Sequence, residues 1–113
     1  MRSQTRDELA RDILVRFGGH EVQVLAPLVR GRKGEYQKLF QDMLKKGYDR
    51  ARIDGTERLL APEMKLKKTV RHDIGIIVDE LVLKENKEDK RFRNSLACAL
   101  DLAGGQVAIL DRD

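Results

Sequence analysis

The sequence predicts an α/β chain of the α+β type: a two-layer single domain in which a mixed sheet of about five strands carries three helices mainly on one face. Two observations carry this prediction. Apolar residues recur at helical spacing in three stretches, each closed by glycine, and alternate at strand spacing in about five others. These segments follow one another as helix, strand, helix, three strands, helix, strand. At 113 residues the chain has room for one modest core, so residues 1–113 are expected to form a single domain.

The opening `SQTRDELARDILVRFGG` sets Thr5 three residues before Glu8, a capping box, and then places Leu9, Ala10, Ile13, Leu14 and Phe17 on one helical face. Gly18 and Gly19 end that helix. In `EVQVLAPLV`, alternation of Val22, Val24, Ala26 and Leu28 against Glu21 and Gln23 predicts a strand, with Pro27 marking its end near an edge. A basic loop, `RGRKGE`, leads to a second helix through Tyr36, Leu39, Phe40, Met43 and Leu44, stopped at Gly47. `DRARIDG` and `IDGTERLL` predict two short strands joined by a turn at Asp54-Gly55. The lysine-rich `APEMKLKKTVR` is a loop or an irregular edge. The long strand `HDIGIIVDELVL` sets Ile74, Ile76, Val78 and Val82 on one side. `NKEDKRFRNSLACALDLAGG` is a third helix through Phe92, Leu96, Ala99, Leu100 and Ala103, and `QVAIL` is the last strand.

Charge is segregated along the chain. Overall the balance is 23 basic against 19 acidic residues, but residues 30–71 hold thirteen against six while residues 72–113 hold six against nine. An electropositive middle of this kind suits a charged partner, either nucleic acid or an acidic protein surface. No apolar stretch is long enough to span a membrane and the charged opening lacks the centre of a secretory signal, so a cytoplasmic location is expected. The single cysteine, Cys98, falls among apolar helix positions and is expected to be a buried thiol. With only His20 and His72 beside it, no structural metal site is expected.

Catalytic patterns are missing. A P-loop needs a lysine followed by Ser or Thr so that backbone N–H groups and a hydroxyl can hold phosphate and magnesium. In `GRKGEY`, Glu35 and Tyr36 follow the second glycine, and a carboxylate takes the place of the anion at the helix start. The strand `YDRARID` is more informative. Asp49, Ala51 and Ile53 fall on one face and Tyr48, Arg50, Arg52 and Asp54 on the other, so two arginines are displayed side by side. Guanidinium forks pair bidentately with carboxylates or phosphates. The five aromatic residues, mostly at core spacing, supply no stacking platform for single-stranded nucleic acid.

Three separated motifs, `VLAPLVRGRKGEYQKLFQDMLKKGYDRARIDG`, `KLKKTVRHDIGIIVDELVLKE` and `SLACALDLAGGQVAI`, closely resemble the UvrB-binding (interaction) domain of UvrA, the damage-recognition subunit of the bacterial excinuclease. The resemblance covers nearly the whole chain and implies an insert from a much larger ABC-type ATPase, whose ATP, zinc and DNA sites lie elsewhere. It implies no cofactor in this domain and a task of recruiting UvrB in nucleotide excision repair. The transcription-repair coupling factor, with its UvrB-like module, is implied as a second partner on the same face.

Arg50 and Arg52 match the two arginines of the family's RxR strand, the first of which is implicated in the UvrB contact. Glu80 falls where the family has a further arginine, Arg71 replaces a common lysine, and Gly75 replaces a bulkier residue. The partner-binding set expected on these grounds is Arg50, Arg52, Glu80, Arg30, Arg32 and Lys33, with the segment from Arg30 to Glu35 capping the second helix and adding charge. The competing reading is a basic nucleic-acid-binding module that contacts DNA phosphates. Because alternation places Glu80 on the apolar side of its strand, a break in regular pairing is expected near Asp79 and Glu80.

Overall fold

The computed structural model describes residues 5–85 and 88–113. Its elements are α1 (Arg6–Phe17), β1 (Glu21–Lys33), α2 (Gln37–Lys45), β2 (Arg50–Ile53), β3 (Thr56–Leu59), β4 (Arg71–Val82), α3 (Lys90–Leu102) and β5 (Ala108–Asp111). The order matches the one expected, and the five strands are arranged β3-β2-β4-β1-β5. β1–β5, β2–β3 and β2–β4 are all antiparallel, which makes this an antiparallel α+β sheet in place of the mixed one expected; alternation shows which face a strand buries but not the direction of its neighbour. Met1–Gln4, and Asn86 and Lys87 at the head of the stretch read as the third helix, lie outside the described residues.

The chain divides into two compact units, one holding residues 1–25 and 78–113, the other Ala26–Ile77. In the first, Thr5 caps α1 by accepting from the Glu8 N–H at 3.1 Å, the bond that the Thr-x-x-Glu spacing anticipates. α1 buries Ala10 and Ile13; α3 buries Phe92, Ser95, Leu96, Ala99 and Leu100. Asp89 caps α3 by accepting from Phe92 N–H, and its other oxygen accepts from Lys84 N–H. β5 pairs with Val22–Leu25 of β1. Cys98 is exposed rather than buried: the buried positions of α3 step by three and four through 92, 95, 96, 99 and 100, and 98 falls between them.

In the second unit, α2 contributes Phe40 and Met43 to a core with Ala51 and Ile53 of β2 and Ile74 and Ile76 of β4. Asp54 and Gly55 join β2 to β3 at φ 53° and 84°, the two left-handed residues of a primed hairpin turn. Residues 61–70 form the irregular lysine-rich connection.

Two strands depart from the sequence reading. β1 continues through the basic segment to Lys33, so `RGRK` is strand and not loop. Pro27 lies inside that strand, two residues beyond the last residue that β5 pairs. The segment does not cap α2 either: the N-cap is Tyr36, left-handed at φ 59°, with no side-chain cap bond. Its hydroxyl instead lies 3.2 Å from the carbonyls of Arg32 and Lys33.

In β4 burial follows the even positions His72, Ile74 and Ile76 and then passes to Ile77 and Leu81. The phase slips by one residue just before the place expected from Glu80. Val82, expected inside, is therefore 61% exposed.

Candidate docking face

Within the Ala26–Ile77 unit, the strands bury one face and show the other. Ala51 and Ile53 are buried, so Arg50 and Arg52 stand on the opposite face of β2. On β3, Leu59 lies across from Arg50 and Glu57 across from Arg52. On β4, Arg52 faces Gly75, and by alternation Asp73 and Arg71 share that side. On β1, Val29 is buried, which turns Arg30 and Arg32 to the other face, both exposed. Five arginines from three strands thus lie on the face away from the core. Lys33 is exposed at the end of β1, alternating with Arg32.

Internal bonds position these side chains. Arg50 donates to Glu57 Oε2 at 3.1 Å, a diagonal pair across the β2–β3 ladder. Arg52 Nη2 donates to the Gly55 carbonyl at 2.9 Å, anchoring its guanidinium to the hairpin turn. Arg71 Nη1 donates to the Gly31 carbonyl at 2.9 Å, while the Gly31 N–H donates to Asp73 Oδ1 at 2.7 Å. The end of β1 is therefore tied on both sides of one residue to the start of β4.

Beneath this rim sits a buried histidine. His72 Nδ1 is 2.7 Å from Asp54 Oδ2 and Nε2 is 2.8 Å from the Lys67 carbonyl. The hydrogen bond to Asp54, helped by that to Lys67, raises the His72 pKa above its ordinary value. The same bond, with a second from Asp73 N–H, lowers that of Asp54.

Glu80 belongs to the other unit. Its Oε2 accepts from Gln23 Nε2 at 2.6 Å, and Gln23 is fully buried. Beside it, burial works to raise the Asp79 pKa, but bonds from Arg91, Ser95 and the Glu80 N–H outweigh it and leave the carboxyl lowered. Arg91 grips Asp79 through Nε at 3.1 Å and Nη2 at 2.7 Å, and Ser95 Oγ lies at 2.5 Å. Also in this unit, the ligand atoms of His20, Asp111 and Asp113 come within 4.8 Å of one another, a grouping able to hold a metal ion, which separation along the chain hid from the sequence reading. His20 Nδ1 is already engaged at 3.0 Å with Asp111, which raises the histidine's pKa.

A profile of the UvrA interaction domain matches residues 4–113. The chain belongs to the UvrA interaction domain family. Among its relatives, the UvrABC system protein A of Thermus thermophilus is 43% identical over 112 residues, covering 97% of this chain and 12% of that protein. The corresponding protein of Halalkalibacterium halodurans is 42% identical over 107 residues, covering 95% of the chain and 11% of the relative. That of Deinococcus radiodurans is 38% identical over 109 residues, with the same two shares of 95% and 11%. The chain thus spans about an eighth of the length of the relatives it matches. Among the described residues no helix is long and apolar enough to cross a membrane.

Proposed function

We propose that this chain is a protein-docking module of a UvrA-type damage-recognition protein and that it recruits UvrB during nucleotide excision repair in the cytoplasm. The observation that carries the reading is the face of the Ala26–Ile77 unit on which Arg30, Arg32, Arg50, Arg52 and Arg71 stand together. Arginine suits an interface with a carboxylate-rich protein, because its planar fork gives two parallel charge-assisted bonds and loses little entropy in doing so. Arg50 and Arg52 are the central contacts, with Arg30, Arg32 and Lys33 at the rim.

The module acts by binding and performs no chemistry. ATP and zinc belong to the remainder of the parent protein. The transcription-repair coupling factor is the second partner proposed for the same face. Glu80, engaged with Gln23, supports the fold of its own unit more directly than it serves a partner.

A capture experiment with purified UvrB in the absence of DNA, set beside a duplex titration at physiological salt, tests the reading. UvrB capture with weak duplex binding is the expected result. Tight duplex binding without UvrB capture would replace it with the nucleic-acid reading, in which the same arginines contact phosphates.

A further inference from the structure

Gly75 lies inside β4, in regular strand backbone, and is not among the glycines held at positive φ. Nothing in its conformation calls for glycine. In a strand interior glycine weakens the fold, because it loses more backbone entropy on folding and packs no side chain; such a residue often marks a close approach by another chain or a ligand. Its position gives that rule content here, for Gly75 stands directly across the ladder from Arg52. Directly opposed residues on an antiparallel pair place their Cβ atoms about 4.5–5.5 Å apart. Any side chain at 75 would therefore stand against the stem of Arg52, on the face where the arginines gather. Without one, the face carries no side chain at this point, between Arg52 on β2 and Asp73 two residues back along β4, and we take this gap as a notch.

Arg52 is prepared for such a notch. Its Nη2 is tied to the Gly55 carbonyl, which fixes the guanidinium to the turn. The guanidinium carries five N–H donors in a rigid fork, so further donors remain to be matched. We propose that the Gly75 notch is a specificity pocket of the docking face, which admits one Asp or Glu side chain of the protein partner to a bidentate pairing with Arg52. Charge decides the occupant. The notch lies beside Arg52, with Arg50 two residues along β2, while the nearby acids are already engaged, Glu57 with Arg50 and Asp73 with the Gly31 N–H. This inference rests on the docking reading given above and adds to it the place where the partner's carboxylate enters.

The test is the pair of substitutions Gly75→Val and Gly75→Ser in the full chain, with Arg52→Ala as reference, each measured for UvrB capture and for thermal midpoint. Valine favours strands and should leave the midpoint equal or raised, yet fill the notch and weaken UvrB capture at least tenfold; serine should weaken it less. Opposite movement of stability and binding is the signature of a pocket. If Gly75→Val captures UvrB as well as the parent while Arg52→Ala loses it, the notch is overturned and the docking face stands. If neither Gly75→Val nor Arg52→Ala affects capture, the docking face itself falls. A midpoint lowered by valine would show that Gly75 serves the fold, and duplex binding weakened in place of UvrB capture would assign the notch to phosphate; either result overturns the proposal.

Discussion

His72 and Asp54 form an ion pair at 2.7 Å in which the imidazole is buried, with 7% of its side chain accessible, while the carboxylate is 46% accessible. The second ring nitrogen meets a carbonyl, that of Lys67. Two acceptors facing two ring nitrogens require both to carry protons, so the favoured state is the imidazolium. One cation thereby links the hairpin turn, the first residues of β4 and the lysine-rich connection. Asp54 completes the link by accepting from Asp73 N–H at 2.8 Å.

This pairing sets a pH dependence of stability. The His72 pKa is raised in the folded chain, so its contribution is full below the ordinary 6.5 and is lost as pH rises through the folded value. The Asp54 pKa is lowered, so its contribution is present above the ordinary 3.8 and is lost as pH falls through its folded value. The chain should exceed His72→Gln in thermal midpoint by the largest margin in the mildly acidic range, with the margin narrowing toward alkaline pH. Melting curves for both proteins across that range provide the check, and a margin independent of pH would refute the imidazolium assignment. Taking the difference between the two removes the contribution of His20, which also titrates with a raised pKa.

On the proposed docking reading, Arg50 should separate docking from folding. Its pair with Glu57 is partly exposed, at 36% and 32% accessibility, and pairs of that kind contribute about 0–1 kcal/mol to stability. A desolvated arginine truncated at an interface costs about 2–5 kcal/mol of binding. Arg50→Ala should therefore melt close to the parent and capture UvrB far more weakly, whereas Glu57→Ala should leave capture intact. A sharp fall in melting temperature for Arg50→Ala would make the arginine structural.

Local sequence signals suffice where one local rule governs. Thr5 with Glu8 is a cap, Asp54-Gly55 is a primed turn, and Ala51 and Ile53 face inward against Arg50 and Arg52, because capping, turn and alternation rules involve neighbours in sequence. What long-range pairing decides was not legible. `RGRK` looks like a loop from its glycine and charge, yet pairing extends β1 to Lys33 and Asp73 takes up the Gly31 N–H. The slip in β4 moves Val82 outward because the alternation changes phase after Ile76, and a period-two rule carries no marker for that. Arg71 and Gly75 joined the candidate face only once the β2–β4 register was known. The partnership of His72 with Asp54 spans 18 residues and has no sequence signature.

The `GRKGE` segment should not bind nucleotide. A phosphate cradle requires consecutive N–H groups converging at the start of a helix. Here Arg32 and Lys33 are in extended strand, and the Gly31 N–H is engaged by a carboxylate. Gly34, at φ 152°, lies under the Tyr36 ring, where an added Cβ would come within 3.0 Å of ring carbon. The helix start that would face an anion is thus occupied by Tyr36 and preceded by Glu35. Calorimetric titration of the chain with magnesium-ATP should give no saturable heat; a stoichiometric isotherm would contradict this reading.

The last prediction concerns Glu80, the acid at a position where the family resemblance implies arginine. Glu80 Oε2 lies 2.6 Å from Nε2 of Gln23, whose side chain has no access to solvent. Removing one partner of a buried hydrogen bond strands the other, at a cost of about 1–3 kcal/mol. Glu80→Gln keeps an acceptor oxygen in place and should be nearly neutral. Glu80→Arg replaces the acceptor by a donor-only group beside a buried amide N–H, so it should lower stability by about 1–3 kcal/mol in denaturant titration. Gln23→Leu combined with Glu80→Arg should recover part of that loss, since no buried amide is then left to satisfy. If Glu80→Arg is as stable as the parent, the Gln23 contact does not hold this carboxylate, and Glu80 returns to the set of residues available to a partner.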